Sequence, residues 1–259
     1  MSTQTKDMFD LTGKVALVTG ASSGLGVQMA KALAKRGADI AIMARRMEKL
    51  EKVAKEIRAL GVRCFALRCD VTDTDRIKTA VQEVVNEYGK IDILINNAGD
   101  GGVGPAETTT DETWHRTVSV DLDGVFFMSR EVGKHMLEKK AGRIINIASM
   151  YGMVGNMALG TAAYHAAKGG VVNLTRALAA EWSKHGITVN SICPGYFETE
   201  LTVDTLKTES FQAYMKASVP VGRYGEAGEL DAAVVFLASD AASYVTGAIL
   251  PVDGGYTCV

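Results

Sequence analysis

The sequence has 259 residues, of which 47% are hydrophobic and 22% charged, and its formal net charge is −2. That composition supplies the apolar core of one large α/β domain and argues against disorder. It carries no concentrated positive charge of the kind that nucleic acids or anionic membranes require. We therefore expect a folded protein whose partner is a small molecule, with no nucleic acid and no membrane.

The cysteines and the first residues bear on the cellular compartment. The cysteine spacings match neither a metal site nor a dense disulfide framework, so reduced thiols and no bound metal are expected. The chain starts with polar residues, and no run approaches the ~18 apolar residues of a membrane helix. These features predict a cytoplasmic protein. The four cysteines are Cys64, Cys69, Cys193 and Cys258.

Short β-branched runs alternate with longer amphipathic stretches, which is the pattern of repeated βαβ units on a parallel sheet. Because parallel strands need right-handed crossovers, helices must cover both faces of a doubly wound α/β sheet. No linker divides the chain, so residues 1–259 are predicted to form a single domain. The segment at about 199–217 interrupts the alternation and is predicted to be a substrate lid. Strands are expected at 15–19, 38–44, 63–69, 91–96, 143–149, 187–193 and 248–252, and helices at 24–36, 47–60, 74–88, 111–138, 163–184 and 227–239.

The first predicted strand runs directly into a glycine-rich turn and then into a helix. Glycines allow a tight turn close to a pyrophosphate, and the helix N-terminus offers unpaired N–H groups. A glycine triad alone is a weak signal, but the strand–turn–helix context favours nucleotide binding over an ordinary turn. The residues predicted to contact the nucleotide here are Gly20, Ser22, Ser23, Gly24, Leu25 and Gly26.

The second strand ends at Ala44, where a dinucleotide-binding unit usually has an acidic residue that bonds the ribose hydroxyls. Arg45 and Arg46 follow instead, and two guanidiniums can pair with a 2′-phosphate. NADP(H) is therefore predicted in preference to NAD(H). The alternative is that both arginines belong to a solvated helix start.

Two later strand ends offer further cofactor contacts, each with a structural alternative. Asp70, followed by Val71, could accept a hydrogen bond from the adenine amino group or could cap the helix that begins near Asp73. The end of the fourth strand could border a ribose or could be a plain turn. Its residues are Asn97, Ala98 and Gly99.

The candidate chemical residues are Ser149, Tyr164 and Lys168. Tyr164 and Lys168 are four apart at the start of a helix, so they project from one face. An adjacent ammonium stabilises a phenolate and lowers the tyrosine pKa, which makes the pair a usable acid and base. Ser149 ends the fifth strand at the same edge of the sheet as the glycine turn, where its hydroxyl can polarise a carbonyl.

At this point the sequence resembles the short-chain dehydrogenase/reductase family over nearly its whole length. The resemblance implies a Rossmann-type sheet of about seven parallel strands in the order 3-2-1-4-5-6-7. It also implies that Tyr164 donates the proton, that Lys168 binds the nicotinamide ribose and that Ser149 bonds the substrate oxygen. The motifs are TGASSGLG at 19–26, CDVT at 69–72, NNAG at 96–99, Ser149, YHAAK at 164–168, PGYFET at 194–199 and PVDGG at 251–255, with Pro194, Gly195 and Thr199 expected beside the nicotinamide.

Two features depart from the family pattern. Asp121 stands where the family usually has an asparagine that feeds a proton relay to the lysine, so it is included among the catalytic residues. If its backbone carbonyl serves, the relay survives; if the amide is needed, the relay is altered and the carboxylate raises the Lys168 pKa. Ser149 and Tyr164 are also 15 positions apart rather than 13. The longer loop at 150–160 is predicted to set specificity, with methionines that line an apolar wall or meet a neighbouring subunit.

The resemblance leaves the substrate open among keto sugar acids, 3-oxoacyl thioesters, hydroxysteroids and other carbonyl or alcohol compounds. No cation is evident near the 150–160 loop, which favours a bulky apolar ketone over a sugar acid. The alternative from another class is a noncatalytic NADP(H)-sensing scaffold. The family resemblance further implies a homotetramer built from the two long helices and the C-terminal segment.

Overall fold

Seven parallel strands form one sheet in the order β3-β2-β1-β4-β5-β6-β7, which confirms the predicted topology. The structure is a computed structural model, and it describes residues 7–157, 159–199 and 202–259. Because all strands run the same way, their carboxyl ends meet at one edge of the sheet. The strands are β1 (Val15–Thr19), β2 (Asp39–Ala44), β3 (Cys64–Arg68), β4 (Ile93–Asn96), β5 (Gly142–Ile147), β6 (Ile187–Pro194) and β7 (Ile249–Val252).

Helices pack on both faces of this sheet. Successive residues of β1 point to opposite faces, so Val18 belongs to the same core cluster as Leu33, whereas Leu17 belongs to the cluster of Ile77 and Met128. None of the helices in the described part of the chain is long and apolar enough to cross a membrane. The helices are α1 (Gly24–Ala34), α2 (Met47–Arg58), α3 (Thr74–Tyr88), α4 (Asp111–Val118), α5 (Gly124–Lys139), α6 (Ala162–Trp182), α7 (Val203–Leu206), α8 (Glu209–Ser218) and α9 (Asp231–Ala238).

The long helix predicted at 111–138 is not continuous. A π-helical turn, Ser119–Asp123, separates α4 from α5. Such a turn widens the helix by one residue and often occurs at functional sites. Periodicity cannot show it, because the apolar pattern continues through both helices. The turn carries Asp121, whose side chain is fully buried.

A buried polar ladder fixes the helices around the site. Asn96 Nδ2 donates to Ser129 Oγ at 2.8 Å and to Asn146 Oδ1 at 2.9 Å. Asn146 Nδ2 in turn donates to Thr175 Oγ1 at 3.0 Å. The ladder therefore joins β4 and β5 to α5 and α6. Since a buried polar group without a partner is costly, these bonds favour one position of α6 on the sheet.

Candidate active site

The glycine turn, residues 19–26, follows β1 and leads into α1. Gly20 has a φ of +66°, which favours glycine. A Cβ on Gly26 would lie 2.5 Å from Asn97 Nδ2 and 2.6 Å from the Gly20 oxygen, so a side chain there has no room. Ser23 precedes α1 without capping it, and the first turn of α1 has no acidic residue. The α1 N–H groups and the close backbone thus fit a dinucleotide pyrophosphate.

Arg46 lies against the same turn. Its Nη2 donates to Ser23 Oγ at 2.8 Å and to Ser22 Oγ at 3.2 Å. Arg45 and Arg46 are both exposed at the end of β2. The structure therefore brings the Arg46 guanidinium to the turn, whereas Arg45 has no comparable bond to it among the described contacts.

The ends of β1 and β4 are tied together by Thr19, whose role the sequence analysis missed. The Thr19 hydroxyl accepts hydrogen bonds from the backbone N–H groups of Asn97 at 3.0 Å and Ala98 at 3.1 Å. Asn97 Nδ2 donates back to the Thr19 carbonyl at 3.0 Å. The only available signal was a threonine at a buried strand end before the glycine turn. These bonds place Asn97 and Ala98 beside the turn.

Asp70 does not cap the following helix, so that alternative was wrong. Asp73 is the N-cap of α3, and its carboxylate accepts from the Arg76 N–H. Asp70 Oδ1 instead accepts from the N–H and hydroxyl of Thr72, at 3.0 and 2.9 Å. This local turn holds Asp70 at the carboxyl edge of the sheet. Val71 beside it is buried.

Ser149, Tyr164 and Lys168 come together beyond β5, at the same edge. Lys168 Nζ donates to the Ile147 carbonyl at 3.0 Å and lies 5.5 Å from the centre of the Tyr164 ring. Ser149 is 5% exposed, and its hydroxyl accepts from the Tyr151 N–H at 3.1 Å. Tyr164 is partly exposed, so a reactant can reach it. This is the grouping that a carbonyl acid/base site needs.

Asp121 forms a buried ion pair with Lys168. Asp121 Oδ1 lies 3.0 Å from Lys168 Nζ, and neither side chain is more than 4% exposed. Asp121 Oδ2 accepts from the Asp100 N–H at 3.0 Å. A Cβ on Gly99 would lie 2.8 Å from Asp121 Oδ1, so the loop after β4 passes close to the pair. The departure from the family pattern therefore places the Asp121 side chain directly against Lys168.

The charges around Tyr164 act in opposite directions. Burial raises the pKa of Tyr164, and the Asp121 carboxylate adds to this, whereas Lys168 and Ser149 lower it. Burial alone would lower the pKa of Lys168, but Asp121 and Tyr164 outweigh it and the net shift is upward. Burial raises the pKa of Asp121 against the lowering effect of Lys168. Lys168 thus acts on Tyr164 in the expected direction, but burial outweighs it and the net shift of the Tyr164 pKa is upward.

The segment after β6 connects the two ends of the site. Gly195 N–H donates to the Val252 carbonyl at 2.9 Å, directly after Pro194. The Thr199 side chain lies against the glycine turn, since a Cβ added to Gly24 would be 3.4 Å from it. A cavity of about 920 Å³ extends from Ser23 and Gly24 past Thr199 to the predicted lid. Residues 200 and 201 of that lid lie outside the described residues; the rest forms α7 and most of α8.

A group of tyrosines lies beside Ser149 and Tyr164, and the sequence analysis did not identify it. We call Tyr151, Tyr196, Tyr214 and Tyr256 the tyrosine cluster. The Tyr151 ring lies edge-on to the Tyr164 ring, with centroids 6.5 Å apart. Each member comes from a different segment, after β5, after β6, in α8 and after β7. No local spacing could therefore have revealed the cluster.

The methionines of the 150–160 loop do not form a continuous apolar wall in the described structure. Met150 is 2% exposed, Met153 is 40% exposed and Met157 points entirely to solvent. Ala158 in this loop lies outside the described residues. The side chains that border Tyr164 are aromatic and hydroxyl-bearing instead.

Comparisons with known proteins agree with this fold. A family model described as enoyl-(acyl carrier protein) reductase matches residues 20–257. The chain is 40% identical to gluconate 5-dehydrogenase of Gluconobacter oxydans over 251 residues, 97% of each chain. It is 42% identical to the L-tagatose-forming galactitol 2-dehydrogenase of Cereibacter sphaeroides over 254 residues, 97% of this chain and 98% of that one.

A solved structure supports the same assignment. The crystal structure of a gluconate 5-dehydrogenase from Burkholderia cenocepacia, in complex with NADP and tartrate, is 38% identical and covers 98% of both chains with a TM-score of 0.93. The seven-stranded Rossmann-type sheet and the matches to dehydrogenases over nearly the whole chain together define a dehydrogenase/reductase. The chain belongs to the short-chain dehydrogenase/reductase family and is an oxidoreductase acting on CH–OH groups.

Proposed function

We propose that this protein interconverts a ketone and a secondary alcohol with NADP(H), and that Tyr164 is its acid and base. The observation that carries the proposal is the meeting of Ser149, Tyr164 and Lys168 at the edge of the sheet that also bears the glycine turn. A noncatalytic scaffold has no need for a buried ammonium beside a partly exposed phenol. The oxidoreductase relatives support the same reaction class.

The residues have separate tasks in ketone reduction. The Ser149 hydroxyl donates a hydrogen bond to the carbonyl oxygen and holds it beside the Tyr164 hydroxyl. Reduced nicotinamide, when bound, supplies the hydride that reaches the carbonyl carbon. Tyr164 gives its proton to the oxygen as that carbon is reduced, so the product is the neutral alcohol. Alcohol oxidation follows the same path in reverse, with Tyr164 accepting the proton.

Lys168 serves this chemistry through charge and position. Its ammonium is held by the Ile147 carbonyl and Asp121, at 3.0 Å each, and it stabilises the phenolate left after proton transfer. Lys168 would also hold the nicotinamide ribose. Asn97, Ala98 and Gly99 would lie beside a ribose, and Pro194 and Gly195 would border the nicotinamide. Thr199 would then border the carboxamide or phosphates. These assignments follow the family pattern at matching positions.

NADP(H) is the coenzyme we propose. β2 ends in Ala44, so no carboxylate there repels a 2′-phosphate, and Arg46 is held at the edge of the glycine turn by Ser22 and Ser23. The Asp70 carboxylate would accept a hydrogen bond from the adenine amino group. The NADP complex of the Burkholderia cenocepacia relative supports this coenzyme.

Tyr164→Phe tests the proposal, because it removes the acid but keeps the ring. We expect ketone-dependent NADPH oxidation to fall by about 10²- to 10⁴-fold, while NADPH binding, measured by fluorescence titration, changes little. Tyr244→Phe is the matched control, since Tyr244 is fully exposed and should keep full activity. Unchanged turnover in Tyr164→Phe would exclude Tyr164 as the acid.

A further inference from the structure

The tyrosine cluster has a hydrogen-bonding arrangement that a hydroxyl-rich molecule matches. Tyr151 and Tyr196 share a hydrogen bond between their hydroxyls at 2.5 Å, and Tyr214 and Tyr256 share one at 3.0 Å. A phenol both donates and accepts, as does an alcohol. The four phenol oxygens therefore form two bonded pairs that can both donate to and accept from a ligand, and Tyr151 places one pair beside Tyr164.

The rings of the cluster supply apolar walls around these oxygens. Tyr196 meets Phe211 edge-on with centroids 5.0 Å apart, and Tyr256 edge-on at 5.9 Å. Tyr151 stacks on His165 at 4.6 Å. Tyr196, Tyr214 and Tyr256 are only partly buried, so a ligand has access to them. Such surfaces suit the C–H faces of a polyhydroxylated chain, whose polar groups then meet the phenol oxygens.

Three members of the cluster are neutral phenols at neutral pH. Burial raises the pKa of Tyr151 to about 12, and it also raises the pKa values of Tyr196 and Tyr256. These three residues therefore offer neither a phenolate nor an ammonium to a ligand.

Three cations among the described residues of this part of the molecule already face carboxylates. Arg223 shares a cavity with Tyr196, and its guanidinium pairs with Glu229 at 2.7 Å. Lys207 in the lid pairs with Glu198 at 3.2 Å, and Lys168 pairs with Asp121 at 3.0 Å. A carboxylate entering here would have to compete with these acids for a partner. Burying it unpaired is expensive.

From these observations we propose that the substrate is an uncharged polyol or its ketose, recognised by the tyrosine cluster, rather than a sugar acid or a bulky apolar ketone. The inference rests on the proposed ketone–alcohol chemistry and specifies its substrate class. An apolar ketone would cover these phenol oxygens and offer no partner to the hydrogen-bonding positions that the tyrosine–tyrosine bonds leave unused. The two curated relatives divide on the same point, since one acts on gluconate and the other on galactitol.

The first experiment compares kcat/KM for NADPH-dependent reduction of three kinds of ketone. Neutral ketohexoses (L-tagatose, D-fructose and D-sorbose) are set against 5-keto-D-gluconate and 2-keto-D-gluconate, and against cyclohexanone. We expect the best ketohexose to exceed the best keto acid, and also cyclohexanone, by at least about tenfold. A preference for a keto acid or for cyclohexanone overturns the inference but leaves the proposed function intact. Reduction of none of them overturns the inference, and if a 3-oxoacyl thioester and a steroid ketone are not reduced either, the proposed function is overturned as well.

The second experiment removes single phenol oxygens. Tyr214→Phe and Tyr256→Phe should each raise KM for the ketohexose about three- to tenfold, with kcat held within about twofold, because the lost hydrogen bond serves binding. The KM for cyclohexanone should not change, and Tyr244→Phe should leave all three values alone. An unchanged ketohexose KM in both cluster variants overturns recognition by the cluster. A KM that rises equally for cyclohexanone overturns it as well, since that result indicates a change of shape.

Discussion

The coenzyme end of the site is shaped by backbone, whereas the chemical end is shaped by buried charge. At the coenzyme end, Gly20 and Gly26 leave room for close chain passage, and Arg46 is exposed. At the chemical end, Lys168 and Asp121 are fully packed and face each other at 3.0 Å. A binding surface made of backbone can persist when nearby side chains are changed. In contrast, a buried ion pair that loses one partner leaves an uncompensated charge, which is strongly destabilising.

The largest expected effect comes from breaking that pair. Asp121→Leu leaves the Lys168 ammonium buried without its carboxylate, and we expect the free energy of unfolding to fall by about 3–5 kcal/mol. Urea denaturation at neutral pH measures it. Asp121→Asn is the matched variant, because an amide oxygen can still accept from Lys168 and the loss should be smaller. Equal stability of Asp121→Leu and the parent would show that the pair carries no such weight.

The asparagine variant also tests the electrostatics by pH. The Asp121 charge raises the pKa of Tyr164, so removing it lowers that pKa and frees the proton-accepting phenolate at lower pH. The rise of alcohol oxidation with pH, followed as kcat/KM with saturating NADP⁺, should therefore move to lower pH in Asp121→Asn. Ketone reduction, which needs the phenol, should decline from a lower pH. If the pH dependence of alcohol oxidation stays in place or moves to higher pH, the proposed coupling between Asp121 and Tyr164 is contradicted.

The two ends also differ in what the sequence could reveal. The glycine turn is a contiguous motif between a strand and a helix, so its spacing and this context make its residues visible in the sequence. For Asp121 the family resemblance offered two alternatives, and the fold was needed to show the ion pair, because Asp121 lies on a π-helical turn inside an apparently regular helix. The tyrosine cluster was invisible for a similar reason, since the sheet brings its four segments together. The orientation of the loop methionines was equally hidden, because loop composition does not determine which side chains face inward.

The second largest expected effect comes from the glycine turn at the coenzyme end. Gly26→Ala puts a Cβ 2.5 Å from Asn97 Nδ2 and 2.6 Å from the Gly20 oxygen. We expect a loss of about 1–3 kcal/mol in the free energy of unfolding, together with weaker NADPH binding in a fluorescence titration. Gly155→Ala is the control, because a Cβ there meets nothing within 4 Å. If both variants behave alike, close packing of the turn is not what the coenzyme end depends on.

The smallest expected effect comes from removing the Arg46 charge at the coenzyme end. Arg46→Ala should raise the KM for NADPH about fivefold while leaving that for NADH nearly unchanged, because an exposed guanidinium contributes roughly 1 kcal/mol to a phosphate contact. Arg36→Ala is the matched control: Arg36 is likewise exposed and pairs with Asp7, beyond the opposite end of α1 from the glycine turn. If only the KM for NADPH rises, the charge of Arg46 determines which coenzyme is preferred, although the backbone of the glycine turn provides the binding surface. If the KM rises equally for NADPH and NADH, Arg46 acts by holding the shape of the glycine turn through Ser22 and Ser23. That result would contradict the argument for NADP(H).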